Sequence, residues 1–222
     1  MKRLALVLAA MAGPAAAAAP AWPDTPLARV EALALLQTLN ADLLSHPSAT
    51  LTLERWCQAH GLADPPIVHA RRDRGAARAL PDDLRQALGT APDTPVRYRR
   101  VRLACGDHVL SEADNWYLPG RLTDAMNREL DTRDTPFGKV VAALRFSRRT
   151  LSARLLWSPL PAGWEIRGLP PAAPGPLPLP HALLQHRALL LDGQGRPFSV
   201  VVETYTDQVL AFPAPGARQD AD

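Results

Sequence analysis

The chain of 222 residues has few of the side chains that metal and redox chemistry require. Its two cysteines are Cys57 and Cys105, its six histidines are scattered, and neither Cys-x-x-Cys nor His-Glu-x-x-His occurs. Zinc sites draw their ligands from clusters at short, regular spacing. The sequence therefore predicts no metal site. It leaves open whether the two cysteines form a disulfide or remain as buried thiols.

Other motifs of catalysis are also missing. The sequence has no Gly-x-Ser-x-Gly nucleophile elbow and no phosphate-binding loop. Gly193-x-Gly195 joins two predicted strands and does not open a helix, so it is no dinucleotide fingerprint. Beyond Lys2 the only lysine is Lys139, so a Schiff-base mechanism would have that single amine available.

The N-terminus has the pattern of a secretory signal peptide over residues 1–19. Lys2 and Arg3 precede the apolar run Leu4–Met11, and Ala15–Ala19 supplies small residues for cleavage. No run reaches the roughly 20 apolar residues of a membrane span. Without Lys2 and Arg3 the formal charge falls from +3 to +1. A net charge this small gives little indication of nucleic-acid binding. We therefore expect an exported, periplasmic protein that binds no nucleic acid and has no stable membrane insertion. We favour a monomer.

Apolar periodicity predicts helices in the first part of the chain and strands in the second. The predicted helices are Pro26–Leu44, Ser48–His60, Pro81–Leu88 and Leu122–Leu130. Pro26 stands at the start of the first helix, Gly61 can close the second, Thr123 can cap the fourth, and Gly106-Asp107 is a hairpin turn signal. The predicted strands are Pro66–Ala70, Val96–Ala104, His108–Tyr117, Arg149–Trp157, His181–Leu191 and one or two within Arg196–Leu210. This order predicts an α+β fold with an antiparallel sheet of about five to six strands and helices packed on one side.

The remaining residues, 20–222, are long enough for one domain with a substantial core. Within it, residues 158–180 are rich in proline and are interpreted as a loop insertion, and residues 213–222 as a disordered tail.

The predicted strand Val96–Ala104 carries several arginines. Alternation places Val101 and Leu103 on an apolar face, and Arg100 and Arg102 on the opposite face. One interpretation is a solvated row of arginines. The other is that Arg100 enters a pocket and forms a paired hydrogen bond with a carboxylate.

Three further residues are candidates for ligand contact. Glu203 lies within an apolar run, so it is either exposed on a half-covered sheet or buried with a partner. A buried Glu203 could accept a hydrogen bond from a ligand hydroxyl. Asn115 and Trp116 suit hydrogen bonding and ring stacking, although Trp116 is equally typical of a core.

The order of these segments resembles the chorismate lyase superfamily. The resemblance covers roughly Leu33 to Leu210 and rests on Arg100–Cys105, Thr135–Gly138, and Gly195–Pro197 leading to Glu203. It implies a chorismate lyase-like fold and the elimination of pyruvate from chorismate to give 4-hydroxybenzoate, or a related reaction on a small aromatic or cyclohexadienyl carboxylate. It also implies that no cofactor is needed.

The resemblance assigns roles to particular residues. Arg100 would bind the carboxylate, Glu203 would hold the ring hydroxyl, and Phe137 with Gly138 would contact the ligand. The spacing between Pro197 and Glu203 requires a β-bulge. Two alternatives stand beside a lyase: a non-catalytic periplasmic binding protein for an aromatic acid, and an envelope protein whose pocket is closed by pairing of Arg100 with a carboxylate.

Overall fold

The computed structural model describes residues 21–216 and shows an α+β fold built on a six-stranded antiparallel sheet. The predicted signal peptide, residues 1–19, lies outside these residues, and so does the tail from residue 217. Where the tail was predicted to begin, Ala214 is still buried. None of the helices within residues 21–216 is both long and apolar enough to cross a membrane.

Two long helices occupy the start of the described chain. Helix α1 spans Pro26–Ser45, and the Thr25 side chain caps it by accepting from the Ala28 N–H. Helix α2 spans Ala49–His60 and ends at Gly61, which adopts the left-handed conformation that glycine tolerates best. Both helices were predicted within about two residues.

Shorter helices follow between the strands. They are α3 (Asp82–Leu88), α4 (Asp124–Thr132), α5 (Phe137–Val140) and α6 (Trp164–Arg167). Single 3-10 turns occur at Pro119–Arg121, Ala142–Leu144 and Asp207–Leu210. The Thr123 side chain caps α4, as its sequence predicted.

The strands are β1 (Val68–Asp73), β2 (Arg97–Cys105), β3 (His108–Tyr117), β4 (Ser147–Leu155), β5 (Ala182–Leu191) and β6 (Pro197–Thr206). Their spatial order is β1-β2-β3-β6-β5-β4, so β1 and β4 form the edges. Strand β4 begins two residues before the predicted Arg149, because Ser147 and Arg148 already pair with β5.

A β-bulge lies where the spacing before Glu203 required one. Leu190 pairs with Ser199 and Leu191 pairs with Pro197, so Phe198 is an additional residue on β6.

The two faces of the sheet carry different cores. On one face, α1 and α2 pack over residues such as Val101, Leu103 and Tyr205. On the other face, Leu84 and Leu88 of α3 pack with a smaller group of strand residues that includes Trp116 and Val200. The Glu203 side chain lies on the first face, because it shares its strand parity with Val201 and Tyr205.

A disulfide joins the helical layer to the sheet. Cys57 of α2 and Cys105 of β2 are bonded, their Cα atoms lie 6.5 Å apart, and both are fully buried. Of the two possibilities that the sequence left open, the structure therefore shows the disulfide.

The proline-rich segment crosses the start of the described chain. Pro23 forms an isolated bridge with Pro176, and the Asp24 N–H donates to the Gly175 carbonyl. The Trp22 indole donates to the carbonyls of Leu210 and Phe212 at 3.0 and 2.9 Å. This segment therefore helps to hold residues 22–24 against the domain.

Candidate functional site

A cavity lies between the first face of the sheet and the N-terminus of α2. Its empty volume, including the mouth, is about 530 Å³. The floor comes from β2, β3, β6, β5 and β4, and the roof comes from the α1–α2 connection, α5 and Phe146. The charged and amide side chains on its wall are Arg99, Asn115, Arg148 and Glu203.

Arg99 provides an uncompensated cation in the cavity wall. It is only 5% exposed, and its Nη2 donates to the Thr135 carbonyl at 2.9 Å. Its Nε and Nη1 are buried and have no hydrogen-bond partner among the described residues. Burial and the nearby Arg72 charge lower the pKa of Arg99 to about 10, so the guanidinium is still protonated at neutral pH.

The N-terminus of α2 meets the same cavity. Ser48, Ala49 and Thr50 line it, and the Ser48 side chain accepts from the Leu51 N–H at 3.3 Å. The first N–H groups of a helix have no partner within the helix, and this end carries a partial positive charge. The helix terminus therefore adds positive potential to that of Arg99.

Glu203 is buried and paired. Arg148 Nη2 donates to Glu203 Oε2 at 2.5 Å, and the Tyr205 hydroxyl donates to the same oxygen at 3.2 Å. The side chains of Arg148 and Glu203 are 6% and 8% exposed. Burial raises the pKa of Tyr205 well above its ordinary value, so this hydroxyl remains a donor. Of the two readings of Glu203, the structure shows the buried, partnered one.

His186 extends this polar cluster into the core. It pairs with Glu203 across β5 and β6, and its Nε2 lies 2.8 Å from Asn40 Oδ1 on α1. Its Nδ1 has no partner among the described residues. Burial lowers the pKa of His186 to about 4, which keeps the ring neutral at physiological pH.

The roof contains the loop residues that the sequence analysis selected. Phe137 and Gly138 both line the cavity, and a Cβ at Gly138 would lie 3.6 Å from Ser48 Oγ. Lys139 Nζ binds Glu54 Oε1 of α2 at 2.6 Å, and the Val68 N–H donates to the same carboxylate oxygen at 3.0 Å. This ion pair joins α5 to α2 beside the cavity.

The structure brings together Glu203, Asn115, Phe137 and Gly138, but it does not bring Arg100 or Trp116 to them. Arg100 lies on the opposite face, where it binds Glu112 at 3.0 Å and Asp114 at 3.4 Å. The expected pairing of Arg100 and Glu203 across one pocket is therefore wrong, because consecutive strand residues point to opposite faces.

Trp116 also lies on that opposite face. Its side chain is 1% exposed, it packs against Tyr98, and its indole donates to the Arg78 carbonyl at 3.0 Å. These contacts belong to the core under α3, which was the alternative interpretation of this residue.

The sequence analysis missed Arg99 and Arg148. Alternation could have identified Arg99, because it shares its face with Val101 and Leu103. An arginine on an apolar face requires a partner or a ligand. No comparable signal marks Arg148, since β4 alternates weakly and has a register shift between Thr150 and Ser152.

Comparison with known proteins gives a close relative. Over 196 residues, the chain is 56% identical to the uncharacterized protein y4mC of Sinorhizobium fredii (strain NBRC 101917 / NGR234), covering 87% of this chain and 83% of that protein. The chain belongs to the y4mC family. It matches no protein-family model.

Solved structures are similar to part of this y4mC family member at low sequence identity. PhnF from Mycobacterium smegmatis is 12% identical, with a TM-score of 0.45, covering 73% of this chain and 64% of PhnF. The effector domain of PhnF is 13% identical, with a TM-score of 0.44, covering 72% of this chain and 89% of that domain. A GntR-family transcriptional regulator from Enterococcus faecalis V583 is 14% identical, with a TM-score of 0.39, covering 62% of this chain and 93% of the regulator chain.

These comparisons correct the assignment to the chorismate lyase superfamily. The high-identity relative is y4mC, and the similar folds belong to transcriptional regulators and their domains, not to lyases. The site agrees with the correction, because the arginine on which the assignment depended lies outside the cavity that contains Glu203.

Proposed function

We propose that this y4mC family member is an exported binding protein for a small organic anion, which Arg99 holds in the cavity. The observation that carries the proposal is a buried guanidinium with two donor atoms, Nε and Nη1, that have no partner among the described residues. Burying an unpaired charge is costly, so such groups are retained where a ligand supplies the counter-charge. A carboxylate supplies such a counter-charge and can accept a charge-assisted hydrogen bond from one of these donors.

The other walls favour a ligand with an apolar body. Val101, Leu103, Phe137, Phe146 and Leu190 line the cavity, and apolar walls with a few polar groups are typical of small-molecule sites. Two aromatic rings in the roof suit a flat ring. An aromatic or other cyclic monocarboxylic acid therefore fits both the charge and the lining.

The polar side chains of the cavity wall can form hydrogen bonds with a second group on the ligand. Asn115 accepts from the Ser199 hydroxyl at 2.5 Å through Oδ1, which leaves its amide NH₂ as a donor. Glu203 receives both of its described hydrogen bonds at Oε2, which leaves Oε1 as an acceptor. These groups are suited to orienting a substituted ring within the cavity.

Two features support export. The N-terminal pattern Lys2, Arg3 and Leu4–Met11 is that of a secretory signal. The Cys57–Cys105 disulfide is of a kind that persists in oxidising compartments such as the bacterial periplasm.

Titration calorimetry with benzoate and 4-hydroxybenzoate tests the binding proposal, and Arg100 provides a matched control. Arg99→Met should weaken binding by about ten-fold or more, since a charge-assisted hydrogen bond contributes roughly 1.5–3 kcal/mol. Arg100→Met removes the adjacent arginine from the other face and should leave affinity unchanged. Equal affinity of wild type and Arg99→Met, or no binding of a panel of ring carboxylates by the wild type, would contradict the proposal.

A further inference from the structure

Three ionisable groups determine the charge of the cavity wall. Arg99 and Arg148 are cations, and Glu203 is the carboxylate between them. Along the sheet, Arg99 pairs with Asn115 and Asn115 with Val201, whereas Arg148 pairs with Leu190 and Leu190 with Ser199. The two arginines therefore stand at opposite sides of the cavity floor, on β2 and β4, which are four positions apart in the sheet.

We propose that Arg148 is a specificity-determining residue: it cancels the charge of Glu203, so the cavity presents one net positive charge and selects monoanions over dianions. This inference rests on the proposed function and adds to it the charge class of the ligand. It assigns Arg148 a part in ligand selection without direct contact with the ligand.

The contact between Arg148 and Glu203 fits a role in neutralising the Glu203 charge. A single pair of atoms joins them, Nη2 and Oε2, although a guanidinium and a carboxylate can form two parallel bonds. The Arg148 Nε is buried without a partner among the described residues. Apolar side chains of similar volume are often as stable as a buried ion pair, so stability alone gives little reason to keep this pair.

Among residues 21–216, the other side chains around Glu203 leave the net charge of the cavity wall unchanged. Tyr205 on β6 and His186 on β5 face it, and both are neutral at physiological pH because burial opposes their charged forms. From α1 the nearby polar side chain is Asn40, which binds His186. The residues of α2 and α5 that line the cavity include Thr50, Phe137 and Gly138, none of which is ionisable.

Removing Arg148 would leave Glu203 as a buried carboxylate without a counter-ion, and its charge would repel an incoming anion. The cavity wall would then carry one cation and one anion, so its net positive charge would be lost. Replacing Glu203 by glutamine in the same variant would restore that charge.

The test compares benzoate with terephthalate, a dianion on the same ring, by calorimetry at about pH 7, where both probes are ionised. Wild type should bind terephthalate about ten-fold more weakly than benzoate, or more weakly still. Glu203→Gln raises the cavity charge to two and should reduce that preference.

Arg148→Met should weaken benzoate binding by about ten-fold, because the Glu203 charge then opposes that of Arg99. The double variant Arg148→Met/Glu203→Gln restores one net charge without an ion pair. It should bind benzoate more tightly than Arg148→Met, which a merely structural role of Arg148 does not predict. Equal affinity of wild type for the two probes, or equal affinity of Arg148→Met and the double variant for benzoate, would overturn the inference.

A measurement without ligand separates this inference from the proposed function. Urea unfolding compares Arg148→Met with the double variant Arg148→Met/Glu203→Gln. The single variant should unfold at a lower urea concentration, because it leaves the Glu203 charge buried without a counter-ion. Equal midpoints would overturn the role of Arg148 in neutralising Glu203. A wild type that binds neither probe would instead contradict the proposed function. Circular dichroism establishes that each variant is folded.

Discussion

Arg99 and Glu203 face the same cavity from two strands that are not neighbours, and no ion pair joins them. Asn115 lies between their strands, because Arg99 pairs with Asn115 and Asn115 pairs with Val201, two residues before Glu203. This offset places their Cα atoms about 12 Å apart across the sheet. A cation and a carboxylate that would otherwise neutralise each other are thus kept apart, with space for a ring compound between them.

The ion pair between Lys139 and Glu54 should control how quickly a ligand leaves. It links α5, which covers the cavity, to α2, and Lys139→Met removes it. We expect benzoate to dissociate several-fold faster in stopped-flow measurements, with a loss of stability below about 1 kcal/mol because the pair is partly exposed. Arg133→Met, which breaks the exposed pair with Glu129, is the control. Identical dissociation rates in wild type and Lys139→Met would show that this pair does not hold the roof.

The disulfide should contribute strongly to the free energy of unfolding. Cys57 and Cys105 are 48 residues apart, and closing a loop of this length stabilises a fold by roughly 4 kcal/mol in the chain-entropy model. Urea unfolding of Cys57→Ala/Cys105→Ala should show a loss of that order. Dithiothreitol should have no effect on the double variant, which controls for other actions of the reductant. A loss below about 1 kcal/mol would contradict the entropic account.

His186 should make stability depend on pH between about 6.5 and about 4. Its pKa in the folded protein is lowered to about 4 by burial, so the unfolded chain binds its proton first. The contribution of the neutral ring is therefore fully present above about pH 6.5 and is lost progressively as pH falls, by up to roughly 3 kcal/mol.

Urea midpoints measured across this range for wild type and His186→Gln test that expectation. Glutamine retains an N–H donor for Asn40 and has no proton to gain, so the slope of stability against pH should decrease. An unchanged slope would assign the pH dependence to carboxylates instead.

Trp22 should anchor the start of the described chain. Its indole is buried and donates to the carbonyls of Leu210 and Phe212. Trp22→Phe keeps a ring but removes the donor, leaving buried carbonyls without it, at a cost of roughly 1–3 kcal/mol. Limited proteolysis should then cleave near residue 22 more rapidly than in wild type. Tyr98→Phe, which removes a hydroxyl donor on the other face, should not change that cleavage.

Local patterns in the sequence predicted most of the elements. The caps at Thr123 and Gly61, the proline at the start of α1 and the Gly106-Asp107 turn are short-range signals, and the structure confirms each. Helix and strand periodicity depends on the chain itself, so it could be recognised without a partner. The β-bulge before Glu203 was expected only from the resemblance, because the chain has one residue more between Pro197 and Glu203 than the resemblance implies.

The candidate site could be predicted only in part. Glu203, Asn115, Phe137 and Gly138 line one cavity, and their contact with a ligand stays a prediction. Arg100 was preferred to Arg99, which is adjacent in sequence, although alternation gives the two residues opposite faces. The partner of Glu203 could not be predicted, because Arg148 approaches it from β4, two strands away in the sheet.

The sequence by itself determined which segments form helices and strands, because periodicity, caps and turn residues act within a few residues of one another. Only the tertiary structure decided which arginine is left without a counter-ion, which one neutralises Glu203, and that Cys57 meets Cys105. Those outcomes depend on the order of strands in the sheet and on where α2 packs against it. Both are set by burial of apolar surface across the whole domain, which no local pattern encodes.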